Sequence, residues 1–154
     1  MLRAASFLLL LAPLGCERTP HLRDLTESEW QELVQGRQMP TVAYVWASWS
    51  RESVELLPTI LELEQEYEGR VEFLYVSLDV DDPKVAAALR REANGPPSYR
   101  MAVSLEEALG ALGISEPPAL VGYRQGAALE TIEGDALYPA AADAMVGELA
   151  ANHL

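Results

Sequence analysis

The apolar positions of the chain change period several times, and each change predicts an element. A short strand is expected around residues 21–25. Behind it Thr26 and Glu29 have the spacing of a capping box, Trp30, Leu33 and Val34 share one helical face, and Gly36 is placed to stop the helix. Thr41 to Trp46 shows no polar alternation, which predicts a strand buried on both faces and therefore central in an α/β sheet. Arg51 to Tyr67 sets Val54, Leu57, Ile60 and Leu61 among glutamates and ends before Gly69, the pattern of a long amphipathic helix. Pro58 lies inside that helix, where it removes a backbone donor and favours a kink.

Val71 to Leu78 reads as the next buried strand. Asp82 and Pro83 then occupy the favoured N-cap and first positions of a helix that runs through Leu89 and stops at Asn94-Gly95-Pro96-Pro97. Ser104 and Glu107 form a second capping box at the head of a short helix that reaches Gly113. After Pro117-Pro118, Ala119 to Arg124 and Ala127 to Ile132 flank Gln125-Gly126, which suggests a hairpin. Tyr138 to Ala151 closes the pattern as an alanine-rich helix. The expected order is β-α-β-α-β-α-α-β-β-α. Its early strands need parallel crossovers and its last pair can join directly, so the fold class is α/β, with a mixed central sheet and helices on both faces.

Composition adds one globular domain: 154 residues, 49% hydrophobic and 23% charged, are enough for a core that needs no disulfide or metal. The first residues stand apart. Arg3 and the apolar run from Phe7 to Leu14 read as a signal peptide over residues 1–15, too short to span a bilayer. Pro13-Leu14-Gly15-Cys16 resembles a bacterial lipobox, which predicts cleavage before Cys16, a lipid on that cysteine and a tether over 16–20. The domain proper is then 21–154, on the periplasmic or cell-surface side of a membrane. A formal net charge of −13, with no basic cluster beyond Arg90-Arg91, excludes nucleic acid as a partner and argues against adhesion to anionic headgroups. Membrane attachment would come from the lipid alone.

The block Val45-Trp46-Ala47-Ser48-Trp49-Ser50-Arg51-Glu52-Ser53, followed by Glu55 and Pro58, resembles the TlpA/ResA group of exported thioredoxin-like thiol-disulfide proteins. Their pattern is Trp-Ala-Ser-Trp-Cys-x-x-Cys with a helix proline five residues on, which Pro58 matches. Pro118 before Ala119-Leu120-Val121 matches their cis-proline facing the active site. The resemblance spans about residues 21–151 and implies a thioredoxin-like fold, with Trp46 in the core and Trp49 beside the active site. The chain departs from the pattern at three positions. Both redox cysteines are replaced, by Ser50 and Ser53, and Tyr44 stands where many members carry a buried acidic proton acceptor.

Disulfide exchange needs a thiolate that attacks sulfur and a second thiol that resolves the mixed disulfide, and hydroxyls supply neither. A hydrolytic serine would need a base; only His21 and His153 exist, and no Gly-x-Ser-x-Gly elbow surrounds Ser50 or Ser53. Ser50 is therefore expected to cap the helix that starts at Arg51. Asp79, Asp81 and Asp82 lack the glycine and distal glutamate of a calcium loop and are expected in a solvated strand-end loop. Arg51 and Glu52 should be exposed. No catalytic residue, cofactor or metal is expected. The resemblance implies a groove between the former redox site and the cis-proline loop, lined by Trp49, Ser50, Arg51, Pro118 and Ala119, that binds an envelope protein or peptide to a monomer. The alternative is a thiol-disulfide oxidoreductase by descent, of the redox-homeostasis or cytochrome-maturation type.

Overall fold

The run Thr41–Trp46 forms β2, and all six of its residues are buried. Side chains alternate along a strand, so a strand covered on both sides must feed two cores. Val42, Tyr44 and Trp46 enter one, Ala43 and Val45 the other, and Ala47 follows them. In this computed structural model the described residues are 22–79, 98–101 and 103–151. The signal peptide, Cys16, the tether, both histidines and the helix expected from Asp82 lie outside them.

Among the described residues, each face of the sheet acquires two helices. Helix α1 (Glu27–Gln35) begins at the expected capping box, Thr26 Oγ1 accepting from the Glu29 N–H while Glu29 reaches back to the Thr26 N–H. It packs Trp30 and Val34 against Ala43 and Val45. Helix α3 (Leu105–Leu112), opened by the Ser104–Glu107 box and ended by Gly113 in the left-handed region, lies on the same face through Ala108 and Leu112. The opposite face is covered by α2 (Arg51–Glu66) and α4 (Pro139–Ala151).

The face that α2 buries keeps Leu57 and Ile60 as expected but is rotated from the expected one. Ser53, Leu56, Leu57, Ile60 and Leu63 are inside, whereas Val54 and Leu61 sit at the flank. The doublets Leu56-Leu57 and Ile60-Leu61 fit two neighbouring faces equally well. The orientation adopted keeps Pro58 exposed and turns Ser53 inward.

Strands β1 (Leu22–Leu25), β3 (Glu72–Ser77), β4 (Ser98–Met101), β5 (Ala119–Arg124) and β6 (Ala127–Glu133) complete the sheet in the order β1-β4-β3-β2-β5-β6. The pairings from β1 to β2 are parallel and those of β5 with β2 and β6 antiparallel, so the sheet is mixed as expected. The sequence pattern predicts five strands, however, and β4 is the missing sixth. Its four residues alternate weakly and follow Gly95-Pro96-Pro97, which reads as loop. What makes Ser98–Met101 a strand is pairing on both sides, with Leu22 and Tyr75 each in register with Ser98. A two-bond ion pair from Arg100 to Asp24 across β1, at 2.7 and 2.8 Å, holds the edge and keeps the Asp24 carboxyl below its ordinary range.

Helix α4 approaches β5 closely because one residue there has no side chain. A Cβ on Gly122 would stand 2.9 Å from Leu149 Cδ1 and 3.0 Å from Met145 Cε. Both are side-chain ends that can yield a little. Gly122→Ala is therefore expected to shift the urea midpoint only slightly, while Gly122→Val overpacks the helix-sheet contact and costs about 1–3 kcal/mol.

Candidate functional site

Strand β2 delivers the chain into a tight turn, Ala47 to Ser50, and α2 starts at its end. Ser50 is the N-cap: its backbone is extended, its Oγ accepts from the Ser53 N–H at 3.1 Å, and its carbonyl accepts from Val54 at 3.2 Å. The bond to Oγ satisfies one of the donors a helix start leaves open, a contribution of about 1 kcal/mol. Ser53, one turn on, is fully buried and its hydroxyl has no partner among the described residues. Ser50 is nearly buried, at 8% exposure. Besides its capping bond, its hydroxyl faces only the Glu52 carboxylate, at 3.5 Å. A hydroxyl used as a backbone acceptor is poorly placed as a nucleophile, and no described imidazole or amine is placed to activate it.

Tyr44 lies beneath this helix start. Its phenol donates to the Ser53 carbonyl at 2.6 Å, and its ring meets Tyr75 edge-on at 6.4 Å. Tyr75 in turn donates to Glu64 Oε2 at 2.8 Å. Burial pushes both phenols well above their ordinary range, with the Glu64 charge adding to the effect at Tyr75. Where the resembling group carries a proton acceptor, this chain carries a donor already engaged with backbone.

Asp79 corrects the expectation of a solvated acidic loop. It is 3% exposed and accepts from the Ser48 N–H at 2.7 Å, Ser48 Oγ at 2.5 Å and Ser77 Oγ at 2.9 Å. The two bonds from Ser48 tie the end of β3 to the turn after β2, and the bond from Ser77 fixes the carboxyl locally. The parallel register carried the signal: Trp46 pairs with Ser77, so two residues further Ser48 and Asp79 come side by side. Asp81 and Asp82 lie outside the described residues, and among those described no group of three His, Cys, Asp or Glu side chains could hold a metal.

Beyond the turn a groove of about 360 Å³ opens between α2, α3 and the 115–117 loop. Trp49, 59% exposed, and Ser50 line it, and α3 contributes Leu105 and Leu109. Arg51 is not among the lining residues; its guanidinium lies 3.6 Å from Glu55 and 3.9 Å from Glu52. The Pro117–Pro118 peptide is cis; Pro117 lines the groove, while Pro118 lies buried behind it and Ala119 joins the core under α1 and α3. Glu52 and Glu116 also line the groove. Glu52 is exposed as expected from its place in the motif; sequence reading missed Glu116 and the leucines, since only the folded arrangement of three elements brings them together.

No protein-family model matches the chain. A thioredoxin-like protein of Synechocystis sp. is 28% identical over 80 residues, which is 52% of this chain and 71% of that protein. Among solved structures, a secreted Mycobacterium tuberculosis disulfide oxidoreductase homologous to E. coli DsbE aligns over 76% of this chain and 85% of its own with a TM-score of 0.61 at 14% identity. The pneumococcal exposed lipoprotein thioredoxin of Streptococcus pneumoniae aligns over 77% and 89% with a TM-score of 0.62 at 16% identity. The fold is thioredoxin-like.

The phenols make alkaline stability a readout of the site. Below about pH 10 they are protonated in folded and unfolded chains alike and their contribution is complete. Above it the unfolded chain loses these protons while burial keeps them on the folded one, so stability must fall as pH rises. Tyr44→Phe should cost about 1 kcal/mol at neutral pH through the lost bond to Ser53. It should also flatten the alkaline fall by up to one proton, measured from urea midpoints at several pH values.

Proposed function

We propose that the chain is a redox-inactive thioredoxin-like domain of the cell envelope, which holds an extended protein or peptide segment in the groove beside the former redox site. The observation that carries this reading is the state of the two serines: Ser50 Oγ caps α2 and Ser53 Oγ is buried, while Trp49 stands exposed at an open groove. Thiol chemistry is absent at both positions, and binding an extended segment through backbone and side-chain contacts needs no sulfur. Trp49 supplies a large rigid contact area at small entropic cost, the usual property of a recognition residue.

A second reading, a thiol-disulfide oxidoreductase working with a cysteine on a partner chain, is favoured by one finding: the secreted M. tuberculosis structure of this fold is a disulfide oxidoreductase. The two readings part in a simple assay. Reduction of insulin by dithiothreitol in the presence of the protein is expected to stay at the uncatalysed rate, and clear turnover would replace the first reading with the second. The double substitution Ser50→Cys with Ser53→Cys should form an internal disulfide under oxidant, seen as a mass loss of two hydrogens. Failure to form it would mean that these positions are not the former redox pair.

The lipobox-like Pro13-Leu14-Gly15-Cys16 supports export and anchoring through a lipid on Cys16. The mature N terminus is expected to begin at Cys16 with an added acyl mass. A mass spectrum showing unmodified Cys16, or cleavage beyond it, would remove the anchor.

A further inference from the structure

We infer that the groove selects a cationic segment, an extended peptide carrying lysine or arginine beside an apolar side chain; the inference rests on the peptide-binding reading above. The wall formed by residues 115–118 has no free backbone donor. The N–H groups of Ser115 and Glu116 both go to Glu133 Oε2, at 2.6 and 3.4 Å. Pro117 and Pro118 have no N–H at all. Of their carbonyls, that of Pro118 already accepts from Gly134 at 2.9 Å. What this wall's backbone offers an incoming strand is therefore carbonyl oxygen, that of Pro117 included, and no N–H.

The side chains repeat the asymmetry. Of the residues lining the groove, the charged ones are Glu52 and Glu116, and no lysine or arginine lines it among the described residues. The Arg51 side chain, 80% exposed, is not one of the lining residues. Its guanidinium lies 3.9 Å from Glu52 and 3.6 Å from Glu55 and offsets part of the Glu52 charge, so Glu116 contributes the larger share of the groove's negative charge. The other lining residues are the serines Ser50 and Ser115 and an apolar set: Trp49 is 59% and Leu105 45% exposed, with Leu109 and Pro117 half-buried beside them. A ligand matching this surface must bring donors and positive charge to the rim and an apolar side chain to the floor. An acidic peptide would set like charges together and leave its acceptors unpaired. A groove of this volume takes one or two side chains, so the recognition unit is short.

The test uses three fluorescein-labelled peptides that share a central Val-Leu-Val and differ in flanks of lysine, glutamine or glutamate, titrated with the protein by fluorescence anisotropy. Affinity is expected to fall in the order lysine, glutamine, glutamate, by about tenfold from first to last at low salt, and the gap should narrow as salt is raised. Glu52→Gln with Glu116→Gln should bring the three peptides to similar affinity. The remote pair Glu32→Gln with Glu62→Gln should leave the order intact, which separates a groove effect from attraction by the acidic protein as a whole. Equal binding of all three peptides, lost on Trp49→Ala, would overturn the charge selection and leave the groove reading standing. A preference that survives in the Glu52/Glu116 variant would likewise overturn the selection. Absence of binding by every peptide would overturn both.

Discussion

Burial of β2 on both faces is the constraint from which the rest of this structure follows. A strand with no solvent on either side cannot leave its backbone groups to water, so both of its edges must be paired; β3 and β5 supply those partners. Its side chains alternate into two cores, so neither face can be left open. The described helices take up those faces in pairs, α1 with α3 and α2 with α4. The chain first escapes this enclosure after Ala47, and Trp49 is the first side chain it turns fully to solvent. A site at the carboxyl end of the central strand is thus a consequence of how deeply that strand is buried.

Features written within a few residues of each other are legible in the sequence itself. The two capping boxes depend on a hydroxyl and a carboxylate three positions apart, and the hairpin on two strands joined at Gln125-Gly126, where both residues take positive φ. The features that are not legible there depend on pairings across long stretches of chain. β4 is a strand because β1 and β3 flank it, and the ion pair that reinforces it joins residues 76 apart. Asp79 reads as loop because Asp81 and Asp82 follow it and suggest solvent, yet its partner Ser48 lies 31 residues away through the register of β2 with β3. The buried face of α2 is ambiguous because adjacent leucines serve two faces. The groove is half legible: the motif that resembles exported thioredoxin-like proteins points to Trp49 and Ser50, and nothing local adds Leu105, Leu109 or Glu116.

On the proposal that Ser50 and Ser53 stand at a former redox pair, Tyr44 makes sense with them as a set. A buried carboxylate is expensive to keep charged, and what justifies one beneath a redox pair is proton transfer to and from thiols. With hydroxyls in place there is no such proton to move. A carboxylate at position 44 would also set acceptor against acceptor at the Ser53 carbonyl. The phenol of Tyr44 is neutral through the physiological range and donates there instead, while its ring packs on Tyr75. The helix start keeps its geometry by hydrogen bonds that do not depend on ionisation.

The same economy of donors explains the character of the groove. Glu133 fixes the 115–116 backbone by accepting both of its N–H groups, and Gly134 fixes Pro118 by donating to its carbonyl. Gly134 has positive φ, which favours glycine, and its missing side chain leaves the room that the Glu116 carboxylate occupies. Such ties hold the loop in one shape, which lowers the ordering cost of binding. They also consume the donors that a loop of ordinary composition would present to a ligand. Rigidity and acceptor character therefore have one origin in this wall. In the proposed binding role, a groove made rigid in this way would leave hydrogen-bond donation largely to the ligand, and its glutamates would extend that demand from hydrogen bonds to charge.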